Sequence, residues 1–143
     1  MCAKSGPELI DEGEVLLRQV YPAWLSEDGE PSSQAFHPWR DVDEGCLSVD
    51  RGSMVSAAAA FARFTAQPPL GFGQPAVEVW GLCVGELRAK ALSAWADPVR
   101  AHPPYPENPS HALVEFGDHP RARWSKLGKQ LKVLAITRGR LHP

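Results

Sequence analysis

No apolar run in this chain approaches the ~18 residues that a membrane span requires, and no charged-then-apolar leader precedes the fold. No membrane association and a cytoplasmic location are therefore expected. The three cysteines, Cys2, Cys46 and Cys83, form no C-x-x-C pair and their odd number leaves one over, so free thiols in a reducing compartment are the expectation. The five histidines, His37, His102, His111, His119 and His142, never stand at i, i+4, and no close cysteine pair supports them, so no metal site is expected. G-x-G-x-x-G and the P-loop are absent, which removes those nucleotide cradles. G-x-S-x-G is absent too, which counts against a serine hydrolase built on a nucleophile elbow. Repeats and low-complexity tracts are also missing.

What is present suits one globular domain spanning residues 1–143, with 1–13 polar and read as a flexible lead-in. The apolar fraction of 43% and charged fraction of 22% are ordinary. Five tryptophans are many for this length, and each needs a packing site or a partner for its indole N–H. The Ala-, Arg- and Pro-rich usage suggests a bacterial source. A net charge of −2 conceals a polarity along the chain. Acids dominate residues 1–50, whereas residues 119–143 carry Arg121, Arg123, Lys126, Lys129, Lys132, Arg138 and Arg140 with no acid.

Alternation and turn signals predict strands at Glu14–Tyr21, Gly45–Asp50, Ala76–Val84 and His111–Phe116. The third is apolar on both sides and reads as a central strand. Between Pro22 and Trp39 the prolines and Asp28-Gly29 predict a loop holding a short helical turn or β-bridge. Helices are expected from Ser53 or Ser56 to Ala66, over Gly85–Trp95, and from a cap at Asp118, with Pro120 in the first turn, to Gly139. The last carries Trp124, Leu127, Leu131, Leu134 and Ala135 on one sector, with Arg121, Lys126, Lys129 and Lys132 opposite. Residues 97–110 hold five prolines and read as a long ordered loop or lid. The fold class is α+β: a small mixed or antiparallel sheet of four to five strands with about three helices, ending in an amphipathic one.

The strand Gly45–Asp50 turns Leu47 and Val49 one way and Cys46, Ser48 and Asp50 the other. That second side either lies in water on a half-covered sheet or lines a site. If the strands bearing Arg18, Ser48 and Glu115 are neighbours, their polar groups, with His111, can converge. Arginine can then grip a pyrophosphate, serine orient a ribose and a carboxylate stabilise a cation. A central-strand arginine followed by "LSVDRGS" running into an alanine-rich helix resembles the ADP-ribosyltransferase-like superfamily. The resemblance covers residues 14–66 and 111–116. It implies NAD, ADP-ribose or an RNA 2′-phosphate as ligand, with Arg18, Ser48 and Glu115, or His111 in its place, forming the site.

A second surface is the basic sector of the last helix. A pI of about 6.2 and the absence of a reader motif argue against a dedicated nucleic-acid binder. A third is aromatic: Trp24, Phe36 and Trp39 in one Pro-rich loop and Tyr105 in the other, where rigid aromatics can anchor a protein partner or fold back as core lids. Weighed together, these features lead to the expectation of a small accessory protein without a cofactor. It would act through protein–protein contacts of a toxin-neutralising or defence-associated kind, with the NAD-binding domain as the alternative.

Overall fold

The structure, a computed structural model, describes residues 2–38, 45–66, 76, 78–103 and 105–142. Five strands form one antiparallel sheet: β1 (Val15–Val20), β2 (Cys46–Arg51), β3 (Glu78–Cys83), β4 (Ser93–Ala96) and β5 (His111–Glu115), in the order β3-β1-β2-β5-β4. Three helices accompany them: α1 (Ala57–Thr65), α2 (Val84–Ala89) and α3 (Arg121–Arg138). The expected α+β class holds.

Two departures from the sequence reading have local causes. The stretch expected as one helix to Trp95 splits into α2 and β4. Ala91 takes a left-handed φ of 57°, and Leu92 N–H closes back on the Leu87 carbonyl, which ends the helix. Ser93-Ala94-Trp95-Ala96 then alternates, burying Ala94 and Ala96 in the core. The strand expected at the sheet's centre, β3, is instead an edge. Its outer side is covered by the chain's end, where Val79 pairs with His142 and accepts from Leu141 N–H. At the opposite edge the segment expected to be flexible does the same service. Glu8 bridges to Trp95, Leu9 N–H donates to Ala94 O and Ala96 N–H donates to Pro7 O. Both edges are thus closed by the chain's own ends.

One face of the sheet buries Leu16, Val20, Leu47, Val49, Leu82, Ala112, Val114 and Phe116 against α3 and two 3-10 turns, Pro22–Trp24 and Ser33–Phe36. The Pro22–Pro38 stretch also carries the anticipated β-bridge, Leu25 to Pro31. α3 contributes Leu127, Leu131 and Ala135, and Gly128 lets the Ser33–Phe36 turn approach so closely that a Cβ there would lie 2.5 Å from His37. Pro120 rather than Asp118 occupies the start of α3, and Gly139 ends it at φ 96°. Ser56, not Ser53, caps α1 by accepting from Ala59 N–H.

α1 covers only part of the other face, packing Ala60 on Leu17 and Val79. Across β2, β5 and β4 the same face exposes Ser48, leaves Ser93, Trp95, His111 and Leu113 half-buried, and buries Cys46, Asp50 and Glu115. At its border Ser53 instead donates to Glu14, whose buried carboxylate also takes two hydrogen bonds from Arg51 at 2.8 and 3.0 Å. Burial pushes the Glu14 carboxyl up, but the bonds and charge of Arg51, with Ser53, outweigh it and hold it below the ordinary carboxylate range. Its folded value is depressed, so its stabilisation is fully present above the ordinary glutamate pKa of about 4.3 and is lost as pH falls through the folded value. Glu14→Gln should cost about 2 kcal/mol in urea unfolding at pH 7, less than a fully buried pair because Arg51 is a quarter exposed. The gap to wild type should shrink as the pH is lowered below 4; a gap independent of pH would show that the carboxylate's charge contributes nothing.

A candidate serine–histidine–aspartate site

The pairing register fixes which side chains share the face away from α3. Directly opposed residues face the same way, so Asp50↔His111, Ser48↔Leu113 and Cys46↔Glu115 put Ser48, His111 and Glu115 together. Leu16 and Val20 point into the core, and Arg18, alternating with them, shares that side. Its Nε donates to Ala35 O at 2.7 Å and its Nη1 to Ser48 O at 2.9 Å, and its guanidinium lies 5.0 Å from the Trp24 ring centroid. The expected convergence is therefore partial. Ser48, His111 and Glu115 meet on one face, while Arg18 ties backbone carbonyls together from the other.

His111 is the diagonal neighbour of Ser48, within reach of its long side chain. The Ser48 Oγ lies 2.5 Å from His111 Nε2. On the far side of the ring, Nδ1 lies 3.0 Å from Asp97 Oδ2 and equally 3.0 Å from the Asp97 backbone oxygen. Two acceptors on Nδ1 require that nitrogen to carry the proton, so in the neutral imidazole the Nε2 lone pair faces the serine hydroxyl. Asp97 is itself held: its Oδ1 accepts from Ser5 N–H at 3.1 Å and from Ser5 Oγ–H at 2.9 Å. The histidine and aspartate side chains are each 18% exposed, whereas Ser48 is exposed. The arrangement comprises an accessible hydroxyl, a half-sheltered base and an anchored carboxylate.

Asp97 is not among the candidate residues the sequence pattern singles out, because it lies just past the helix expected over Gly85–Trp95. The available signal was an acid immediately after a Ser-Ala-Trp-Ala alternation, fourteen residues before His111. The Pro-rich stretch after it is an extension of the β4–β5 hairpin, with bridges Val99↔Asn108 and His102↔Tyr105. A hollow of about 290 Å³ beside it is lined by Ser5, Pro98, Val99, Arg100, Glu107 and Pro109. One further group shares this face: Gln19 follows Leu17 by two residues on β1, and both its amide atoms are buried without a hydrogen-bond partner among the described residues.

Glu115 lies apart from this line. It is buried, and Lys4 Nζ bonds its Oε2 at 2.5 Å while standing 4.7 Å over the Trp95 ring. Beside it Cys2 and Cys46 are joined as a disulfide with Cα atoms 6.0 Å apart, which corrects the expectation of three free thiols; Cys83 alone remains one.

The aromatic anchors are also relocated. Trp24 is 5% exposed and Phe36 fully buried, so these two fold back onto the core instead of standing out as partner contacts. Tyr105 is half-buried, and Trp39 lies outside the described residues. On α3, Arg121, Lys126 and Lys129 are exposed and Lys132 partly so, with Arg121 5.8 Å from the Trp124 ring centroid. No helix among the described residues is long and apolar enough to cross a membrane.

Comparison with known proteins finds no matching family model, no matching curated protein and no matching solved structure.

Proposed function

We propose that this chain is a serine-nucleophile enzyme of the acyl-transfer class, with Ser48 as nucleophile, His111 as general base and Asp97 as the residue that orients the base. The observation that carries this reading is the ordered contact from Ser48 Oγ to His111 Nε2 and from His111 Nδ1 to Asp97 Oδ2. A serine hydroxyl at its free pKa is a weak nucleophile and needs an adjacent base. Here Nε2 takes the Oγ proton as oxygen attacks the carbonyl carbon of an ester or thioester. Asp97 steadies the imidazolium that forms, and Nε2–H then protonates the departing alkoxide or thiolate. Water, deprotonated by the same nitrogen, attacks the acyl-serine and frees the acid. The proton taken from water passes from Nε2 to Ser48 Oγ as the acyl–oxygen bond breaks, so every proton transfer runs through His111.

The serine stands on a strand and not on an elbow, so the missing G-x-S-x-G has no bearing on it. Arg18 engaged on the opposite side weighs against the NAD-binding alternative, and the burial of Trp24 and Phe36 weighs against partner docking through those rings.

An alkyl fluorophosphonate tests the reading. Attack by Ser48 Oγ on phosphorus would form the O–P bond and expel fluoride, with the hydroxyl proton passing to His111. At neutral pH the wild type should gain one adduct by intact mass, and Ser48→Ala none. An unlabelled wild type, or equal labelling of the variant, would contradict it.

A further inference from the structure

A second chemical cluster lies two residues from Ser48 along β2. Cys46 and Glu115 face each other across the β2–β5 ladder, and both are 6% exposed. The N-terminal segment brings Cys2 to them, held by the pairing of Pro7, Glu8 and Leu9 with β4 and by the Ser5 bonds to Asp97. The two sulfurs and a Glu115 oxygen all lie within 4.8 Å of one another. We propose that these three residues form a thiol-gated site for a soft divalent cation, zinc being the one whose chemistry fits.

The donors fit zinc by type and number. Two thiolates and one carboxylate leave a fourth tetrahedral position for water, and soft sulfur ligands favour zinc over magnesium or calcium. Charge is balanced as well: three anionic donors face a doubly charged ion and the Lys4 ammonium. Lys4 bonds Oε2, so Oε1 is the oxygen left to bind metal, with the lysine as the outer partner that fixes the carboxylate's orientation. In the disulfide state neither sulfur is a thiolate and the site is closed. A dithiol or phosphine reductant supplies two electrons; with two protons these break the S–S bond and give two thiols. The metal then displaces both thiol protons as its two bonds to sulfur form.

This inference is independent of the acyl-transfer reading, because its test measures binding alone. Cobalt(II) would be titrated into the full chain before and after reduction with a phosphine, following the thiolate-to-cobalt charge-transfer absorption, with zinc then added as competitor. The reduced protein should take up one equivalent, give the band and lose it to zinc, while the oxidised protein gives none. Cys2→Ser, a change near the chain's start, and Cys46→Ser should each weaken binding at least tenfold, and Glu115→Gln should weaken it while retaining the band. Circular dichroism checks that each variant is folded, and Cys83→Ser should bind like wild type. No band in the reduced wild type, or a band that survives Cys46→Ser and disappears with Cys83→Ser, would overturn the proposal.

Discussion

Asp97→Asn should slow fluorophosphonate labelling of Ser48 by about 10²- to 10⁴-fold without unfolding the protein. The reason is the proton inventory around the carboxylate. Ser5 donates two hydrogen bonds to Oδ1, so an asparagine will keep its carbonyl oxygen there and turn its amide NH₂ toward His111 Nδ1. A donor facing Nδ1 favours the tautomer protonated on Nε2, and that nitrogen then cannot take the serine proton. The lower end of the range reflects the Asp97 backbone oxygen, which stays 3.0 Å from Nδ1 and still favours the productive tautomer. The labelling rate, followed by mass against time, gives the ratio. A rate within twofold of wild type would remove Asp97 from the account, leaving a serine–histidine pair.

Phe36→Ala should cost about 3–5 kcal/mol, the range for truncating a buried phenylalanine to alanine. Phe36 is 0% exposed at the end of the Ser33–Phe36 turn, in the same core as Leu127 and Leu131 of α3. The neighbouring Ala35 carbonyl receives Arg18, so the turn is fixed from two sides and has little freedom to collapse into the vacated space. The melting temperature should drop by roughly 10 °C or more for a chain of this size, and the urea midpoint should fall with it. A loss under 1 kcal/mol would mean that the ring is not in the core, and would restore the partner-anchor reading of this loop.

Periodicity served well where a strand or helix is long and its neighbours are distant in character. β1, β2, β5, α1 and α3 stand close to where alternation, Ser56 and Gly139 put them. It served less well for β4, whose four residues continued a helix-like stripe, and for the N-terminal segment, whose polar composition conceals main-chain pairing that needs no apolar side chain. Facing was the other hidden quantity. Alternation says that Arg18 opposes Leu17, but only the register between strands says that Ser48 is on Leu17's side. Ser48 and His111 were legible as candidates, each alternating with apolar neighbours on its own strand, and the β2–β5 register puts them on one face. Asp97 and Cys2 were not, since each reaches the face through a loop or a terminal segment and no spacing rule connects them to β2. Trp24 and Phe36 illustrate a similar limit: proline-rich context marks a loop, and burial of an aromatic within it depends on the surface the loop crosses.

The central claim concerns a single oxygen atom, and the sequence offers a direct way to locate it. After reduction and alkylation, trypsin releases residues Asp41–Arg51, in which Ser48 is the sole hydroxyl-bearing side chain. Fragmentation of this peptide from fluorophosphonate-treated protein should place the phosphonate mass on Ser48, with no comparable adduct elsewhere in the chain. An adduct confined to another peptide, or an unmodified Asp41–Arg51 after complete exposure to the probe, would contradict the account.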